Sequence, residues 1–348
     1  MHILLTGAAG LIGGEVAARL AARGHRVTGL VHRSRQVLAN DGSPVAAELV
    51  PGDVRQPLLG VAPPGLGPVD LVIHAAATTE FVADEETYQA VNVEGTRNAL
   101  ALAEALGCPL LHVSTAYVCG RRDGQVLEDD PPGFGDFANG YEASKAAAEA
   151  LVRAASARAA IARPSIVLGD SASGVIRTFG SIPNLFRVLA HGLVGAIPAA
   201  PHATFDIVPI DYVADGIVAL AERMGEAAGR AFHLVSGGTP LPVADMRTAI
   251  CERPGFSCPE FVGPAAFGPA RLPPSQRRIY ARAAAVYAPY LQSDPRFDDR
   301  RFRALTGLEP PPVGLPYVRR MIDHALAVGF LKRSATAARE APAPLRAG

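Results

Sequence analysis

Through its first 165 residues the chain alternates short, almost wholly apolar runs with longer stretches whose apolar positions fall three or four apart. The apolar runs are Ile3–Leu5, Arg26–Val31, Ala47–Val50, Val69–His74, Leu110–Val113 and Ala160–Arg163. Runs of this length with little outward polar alternation predict strands buried on both faces, as in a parallel sheet. Between them, Leu11–Arg23 has helical spacing and closes at Gly24 as a C-cap, and Thr87–Leu106 and Tyr141–Arg158 read as further helices. Alternation of this kind predicts an α/β fold: a doubly wound parallel sheet with right-handed crossovers and helices on both faces. After residue 174 the pattern changes. A helical stretch, Ile176–His191, leads to the run Phe205–Val213, then a helix to Met224 that Asp211 caps, then a buried strand at Ala231–Val235. Residues 252–315 are rich in Pro and aromatics and weakly periodic, and Tyr317–Leu331 is a final amphipathic helix. The division expected is 1–174 as the sheet domain, with a returning strand near 231–235. A smaller, irregular, mostly helical and discontinuous lobe spans 175–332, and a disordered tail 333–348.

The first strand opens onto Thr6-Gly7-Ala-Ala-Gly10-Leu11-Ile12-Gly13. Three glycines three apart, between a strand and a helix, suit a dinucleotide: one for the turn, one for close approach of a pyrophosphate, one for helix–strand packing. The helix N-terminus adds free N–H groups and a positive dipole end. The domain therefore reads as Rossmann-type, with Thr6, Gly7, Gly10, Leu11, Ile12 and Gly13 at a cofactor. At the end of the second strand, where an acidic residue would bind the ribose 2′-hydroxyl of NAD, stand His32, Arg33 and Arg35. Guanidinium groups suit a 2′-phosphate, so NADP(H) is preferred over NAD(H). The bland reading of this stretch is a solvated basic turn. Asp53, followed by Val54, is placed either at an adenine edge or as a turn cap. His74, Ala75, Ala76 and Ala77 end the fourth strand with small residues that let backbone lie against the cofactor. Asn92 lies in the helix that follows, and Val113 ends the fifth strand.

Tyr141 and Lys145 lie one helical turn apart on one face. With a hydroxyl from Ser114 or Thr115 they can form a proton-donating site beside a nicotinamide. The lysine ammonium and an oxidised nicotinamide would lower the tyrosine pKa.

Together the Thr6–Gly13 turn, the His74–Ala77 strand end, Asn92 within Asn-Val-Glu-Gly-Thr, Ser114-Thr115, Tyr141-x-x-x-Lys145 and Pro164-Ser165 resemble the extended short-chain dehydrogenase/reductase superfamily. The stretches HAAATTEF (74–81), HVSTAYV (112–118), NGYEASKAAAE (139–149), ARPSIVLGD (162–170), DIVPIDYVADGI (206–217) and YAPYLQSDPRFDDRRF (287–302) are similar to its thioester-reductase and fatty-acyl-CoA-reductase branch. The resemblance covers about residues 1–330. It implies Tyr141 as acid, Lys145 as its helper, Thr115 orienting the carbonyl oxygen with Ser114 beside it, and Arg33 on the 2′-phosphate. It also places Pro164, Ser165 and Ile166 at the nicotinamide carboxamide. The reaction implied is reduction of a carbonyl, either an acyl thioester or its aldehyde, on a small-molecule or carrier-bound substrate, with an acyl carrier protein as candidate partner. Other readings are a nucleotide-sugar epimerase or dehydratase, a hydroxysteroid- or flavonoid-type reductase, and an NADP-binding regulator without turnover. The sequence carries neither the adenylation and carrier domains of the multidomain reductases nor a membrane-targeting tail.

Charge alters this picture little: 33 basic and 33 acidic residues balance to a formal net charge of +0, which gives no nucleic-acid surface. No stretch has the length of a membrane span and no signal peptide opens the chain, so a cytoplasmic protein, monomer or homodimer, is expected. The four cysteines, Cys108, Cys119, Cys251 and Cys258, read as free thiols without C-x-x-C pairing, and the histidines show no metal-ligand spacing. Glu128-Asp129-Asp130, in the polar 120–140 stretch, reads as a solvated loop.

Overall fold

The computed structural model describes residues 1–133, 135–155 and 158–333; the expected tail, from residue 334 onward, lies outside them. Seven strands form one sheet: β1 (His2–Thr6), β2 (Arg26–Val31), β3 (Glu48–Pro51), β4 (Leu71–His74), β5 (Leu110–Val113), β6 (Ala159–Pro164) and β7 (Ala231–Leu234). Their order is β7-β6-β5-β4-β1-β2-β3 and every pairing is parallel. Four helices cover the sheet: α1 (Leu11–Ala22), α2 (Glu94–Leu106), α3 (Gly140–Ala154) and α4 (Ile210–Glu222). Ile3 and Leu5 enter one core with Val16 and Leu20 of α1 and Val213 and Ile217 of α4. Leu4 points the other way, into a core with Leu102 of α2 and Val152 of α3. Burial on both faces is why the strands read as unbroken apolar runs. Strand order reverses between β1 and β4, which opens a crevice at their carboxyl ends.

The chain divides into two compact units, and the boundary differs from the expected one. The first comprises Met1–Thr178, Asp206–Pro240 and Pro295–Val313; the second comprises Phe179–Phe205, Leu241–Asp294 and the chain from Gly314. Asp206–Pro240 joins the sheet unit because Ile207–Pro209 pairs with Ile166–Leu168, α4 covers the sheet and β7 extends it. Pro295–Val313 joins it because Pro295–Phe297 pairs in parallel with Gly124–Val126, a strand inside the stretch read as loop.

That pairing also corrects the reading of Glu128 as solvated. Its side chain is buried and accepts from the N–H groups of His233 (3.0 Å), Phe302 (3.1 Å) and Arg301 (2.7 Å). Burial pushes its carboxyl up to about 7, against those three hydrogen bonds. Asp211 is not the cap of α4. It lies in the first turn, with Pro209 at the cap, and accepts from Ser171 N–H (2.9 Å) and Ser171 Oγ (2.5 Å).

The second unit holds helices Ser181–Ala190, Val243–Cys251, Pro274–Ala283 and Leu315–Ala327 and two short strand pairs. Within it Cys251 and Cys258 form a disulfide, contrary to the free-thiol reading: the helix ends at Cys251 and the chain turns back, which brings the two Cα atoms within 4.5 Å. Cys108 and Cys119 are free thiols.

Candidate active site

At the carboxyl end of β1, Gly7 adopts φ +69°, a conformation that favours glycine. Space is also exhausted there. A Cβ on Gly7 would lie 2.6 Å from the Ala75 backbone, and one on Gly13 would lie 2.1 Å from the Gly7 carbonyl oxygen. Gly10 caps α1 with extended backbone and no side chain, and the first turn contains no acidic residue. The first-turn N–H groups around Leu11, Ile12 and Gly13 therefore face an open, positive helix end, the arrangement a pyrophosphate fits. Arg177, absent from the sequence reading, donates from its guanidinium to the Gly10 carbonyl (2.9 Å) and fixes the turn from outside.

Beside this turn a cleft of about 380 Å³ is lined by Gly7, Gly10, His32, Arg33, Asp53 and Val54, among others. Arg33 is exposed and makes no ion pair or hydrogen bond among the described residues. Arg35 is exposed but does not line the cleft. Arg55 also lines it, and holds Asp53 through a paired contact (2.6 and 3.0 Å) that, with His32 at 3.6 Å, lowers the Asp53 carboxyl to about 2. The adjacent arginine two residues on was the available signal for this pair. Ala76 reaches the cleft; Ala75 and Ala77 are half-buried beside it.

The Thr115, Tyr141 and Lys145 side chains come from the ends of β5 and α3, next to β6. Asn139 caps α3 by accepting from Glu142 N–H (3.0 Å), so Tyr141 and Lys145 stand in its first two turns. Thr115 leaves β5 and opens a short helical turn, its hydroxyl accepting from Tyr117 N–H (3.3 Å), and it stands close enough to the Tyr141 phenol to act on its charge. Burial, with the Glu142 carboxylate, pushes Tyr141 above its ordinary value while the Thr115 hydroxyl opposes the shift. The expected lowering by Lys145 is not seen in the protein alone. Lys145 is buried, donates to the Val113 carbonyl (2.8 Å) and to His112 Nε2 (3.3 Å), and is itself pulled down to about 7 by burial against the pull of Glu149. Ser114 and Ser165 are buried, and Ser114 N–H donates to the Ala162 carbonyl (2.7 Å). Pro164 ends β6, with Ser165 and Ile166 following.

Lys145 ends a polar row across three strands. Thr6 and His74 are paired in register, as are His74 and His112. Thr6 Oγ1 and His74 Nδ1 hydrogen-bond at 2.8 Å, and the two imidazoles stack at 5.5 Å. His74 is thus a buried link between strands rather than part of the cleft wall. Burial and the lysine charge hold His74 down to about 3 and His112 well below the usual imidazole range.

Lys145 also gives a pH signature. In the unfolded chain it titrates near 10.5, so between about 7 and 10.5 the unfolded chain binds more protons and stability rises with pH. The cost of burying its charge is fully present below that window. Thermal melts at pH 7 and pH 9 are expected to show that rise in the wild type and its loss in Lys145→Met.

Asn92 sits in a π turn, Gln89–Val93, inside the helix predicted over 87–106. Its Oδ1 accepts from Thr78 N–H (2.8 Å), and its Nδ2 donates to the Thr78 carbonyl (3.1 Å) and to Ser144 Oγ (2.8 Å). Ser144 in turn donates to the Tyr141 carbonyl (2.7 Å). Asn92 therefore ties the segment after β4 to the catalytic helix. Among the described residues no cluster of His, Cys, Asp and Glu could hold a metal ion, and no helix is long and apolar enough to cross a membrane.

Comparison with known proteins agrees with this geometry. The model of the family described as Male sterility protein matches residues 5–217. The hybrid PKS-NRPS synthetase pydA of Acremonium sp is 29% identical over 233 residues, which are 62% of this chain and 5% of that protein. The 2-alkyl-3-oxoalkanoate reductase of Shewanella oneidensis is 28% identical over 275 residues, 73% of this chain and 66% of that protein. Among solved structures, the terminal R domain from the myxalamid PKS-NRPS biosynthetic pathway superposes with a TM-score of 0.78 at 26% identity, covering 96% of this chain and 92% of that one.

Proposed function

Because the chain belongs to the Male sterility protein family, among the extended short-chain dehydrogenase/reductases, we propose that it is an NADP(H)-dependent reductase of acyl thioesters, carried on coenzyme A or on a carrier protein, or of the derived aldehydes. The observation that carries this reading is Tyr141 and Lys145 on the first two turns of α3, with Lys145 bonded to the β5 end beside Thr115, in a sheet whose β1 end is a glycine turn open to a pyrophosphate. Among the relatives, the terminal R domain of a PKS-NRPS pathway supports a carrier-bound substrate, and the 3-oxoalkanoate reductase supports reduction of a carbonyl.

Gly7, Gly10 and Gly13 would admit the pyrophosphate, Arg33 and His32 the 2′-phosphate, Lys145 the nicotinamide ribose and Pro164–Ile166 the carboxamide. Bound there, the cofactor supplies hydride to the carbonyl carbon. The chain's own residues do the rest. Thr115 orients the carbonyl oxygen and Tyr141 delivers a proton to that oxygen as it gains charge. For a thioester the resulting hemithioacetal expels the thiol and leaves an aldehyde. The sum is one thioester, one NADPH and one proton giving one aldehyde, one thiol and NADP⁺.

The test is NADPH oxidation over acyl-CoAs, carrier-bound acyl groups and aldehydes, with products identified. Aldehyde with stoichiometric free thiol supports the reading; no oxidation with any of them overturns it. Removing one charge-assisted contact costs about 1.5–3 kcal/mol, so Arg33→Ser is expected to raise KM for NADPH roughly ten- to hundredfold. KM for NADH, measured alongside, is expected to stay nearly constant; an equal rise for both would exclude the 2′-phosphate role.

A further inference from the structure

Phe81 and Val82 follow the β4 end and have no part in the chemistry above. The Phe81 ring lies on the Tyr141 ring, with centroids 5.9 Å apart and planes 23° from parallel. The segment carrying it is fixed to α3 at two further points. Asn92 bridges Thr78 to Ser144, and the Tyr88 ring lies so close over Gly140 that a Cβ there would be 2.5 Å from Cε2. Tyr88 also donates its hydroxyl to the Glu80 carbonyl (2.5 Å). Phe81 is therefore held against the proton donor as a wall, and one face of the Tyr141 ring is covered by hydrocarbon. The neighbouring Val82 is 73% exposed, the most exposed large apolar side chain among the described residues, and no packing explains it. Around it stand the exposed acids Glu80, Asp84, Glu85 and Glu86. These disfavour the polyphosphate end of a coenzyme A or a nucleotide at this lip.

We propose that Phe81 is the specificity-determining wall of an acyl subsite: the unbranched chain attached to the reacting carbonyl lies against Phe81 and runs outward over Val82. The inference rests on Tyr141 being the proton donor, since that places the carbonyl beside the phenol. A chain of about six to ten carbons gains from the contact, and a two-carbon acyl group does not reach it.

The experiment measures kcat and KM with acetyl-, hexanoyl- and decanoyl-CoA, and in parallel with ethanal, hexanal and decanal, for wild type, Phe81→Ala, Phe81→Leu, Val82→Ser and Tyr141→Phe. NADPH binding by calorimetry confirms that each variant is folded. One methylene in a well-fitted apolar pocket contributes about tenfold or more, and a one-sided wall contributes less per methylene. Phe81→Ala is expected to raise KM for the ten-carbon substrates roughly tenfold while leaving the two-carbon values within about twofold. Val82→Ser should act in the same direction and more weakly, and Phe81→Leu should restore part of the discrimination. An unchanged dependence on chain length in Phe81→Ala, or a loss equal at all lengths, overturns the proposal. If Tyr141→Phe is inactive while that dependence stays wild-type, only the Phe81 inference falls. If Tyr141→Phe keeps full turnover, the reading of the site falls with it.

Discussion

Tyr141→Phe is expected to lower kcat by roughly two to four orders of magnitude, the usual contribution of a positioned general acid. Phenylalanine keeps the ring, its stacking on Phe81 and the cap at Asn139, so the fold and the glycine turn are left intact. What is lost is the phenolic proton that the proposed mechanism delivers to the carbonyl oxygen. Burial raises the phenol above its ordinary value, so the tyrosine is protonated throughout the neutral range and ready as an acid. Stopped-flow NADPH oxidation checks this: the cofactor should bind with unchanged affinity while the single-turnover rate collapses. A variant that binds and oxidises NADPH at the wild-type rate would remove Tyr141 from the mechanism.

Gly13→Ala is expected to cost on the order of 3 kcal/mol of stability and to weaken cofactor binding at the same time, because overpacking at fixed backbone is relieved only by moving that backbone. The new Cβ would stand 2.1 Å from the Gly7 carbonyl oxygen and 2.7 Å from its carbon, so α1 must lift away from β1. Lifting α1 carries with it the first-turn N–H groups that face the pyrophosphate. Gly225→Ala is the control. No atom lies within 4 Å of its added Cβ and the position is helical, so it should be neutral or slightly stabilising. Denaturant melts of the two variants, with and without NADPH, separate the effects; equal stabilities would show that the turn yields more easily than its spacing implies.

The parts of this architecture that local sequence carries are those with local causes. Buried parallel strands leave apolar runs, and every strand of the sheet except the exposed edge strand β3 was legible for that reason. The glycine turn and the Tyr141–Lys145 pair are legible because each is a spacing within one segment. What escaped depends on partners far along the chain. Gly124–Val126 is a strand only because Pro295–Phe297 lies beside it. Glu128 is buried because three backbone N–H groups from more than a hundred positions away converge on it, those of Arg301 and Phe302 just after the paired segment and that of His233 on β7. The Cys251–Cys258 bond lay within reach, seven positions apart, yet only the turn after the helix brings the pair together. Lys145 escaped in a different way. Its position was legible, but its partner His112 comes from a strand whose histidine gave no sign of facing it.

The row Thr6–His74–His112–Lys145 has a consequence for the site's proton inventory. Both imidazoles are uncharged anywhere near neutrality, so neither stores a proton that a turnover could spend. After each reduction the phenol must be recharged from Lys145 or directly from bulk water. Turnover then draws its proton from solvent, and a solvent deuterium isotope effect on the steady state is the expected sign of that dependence.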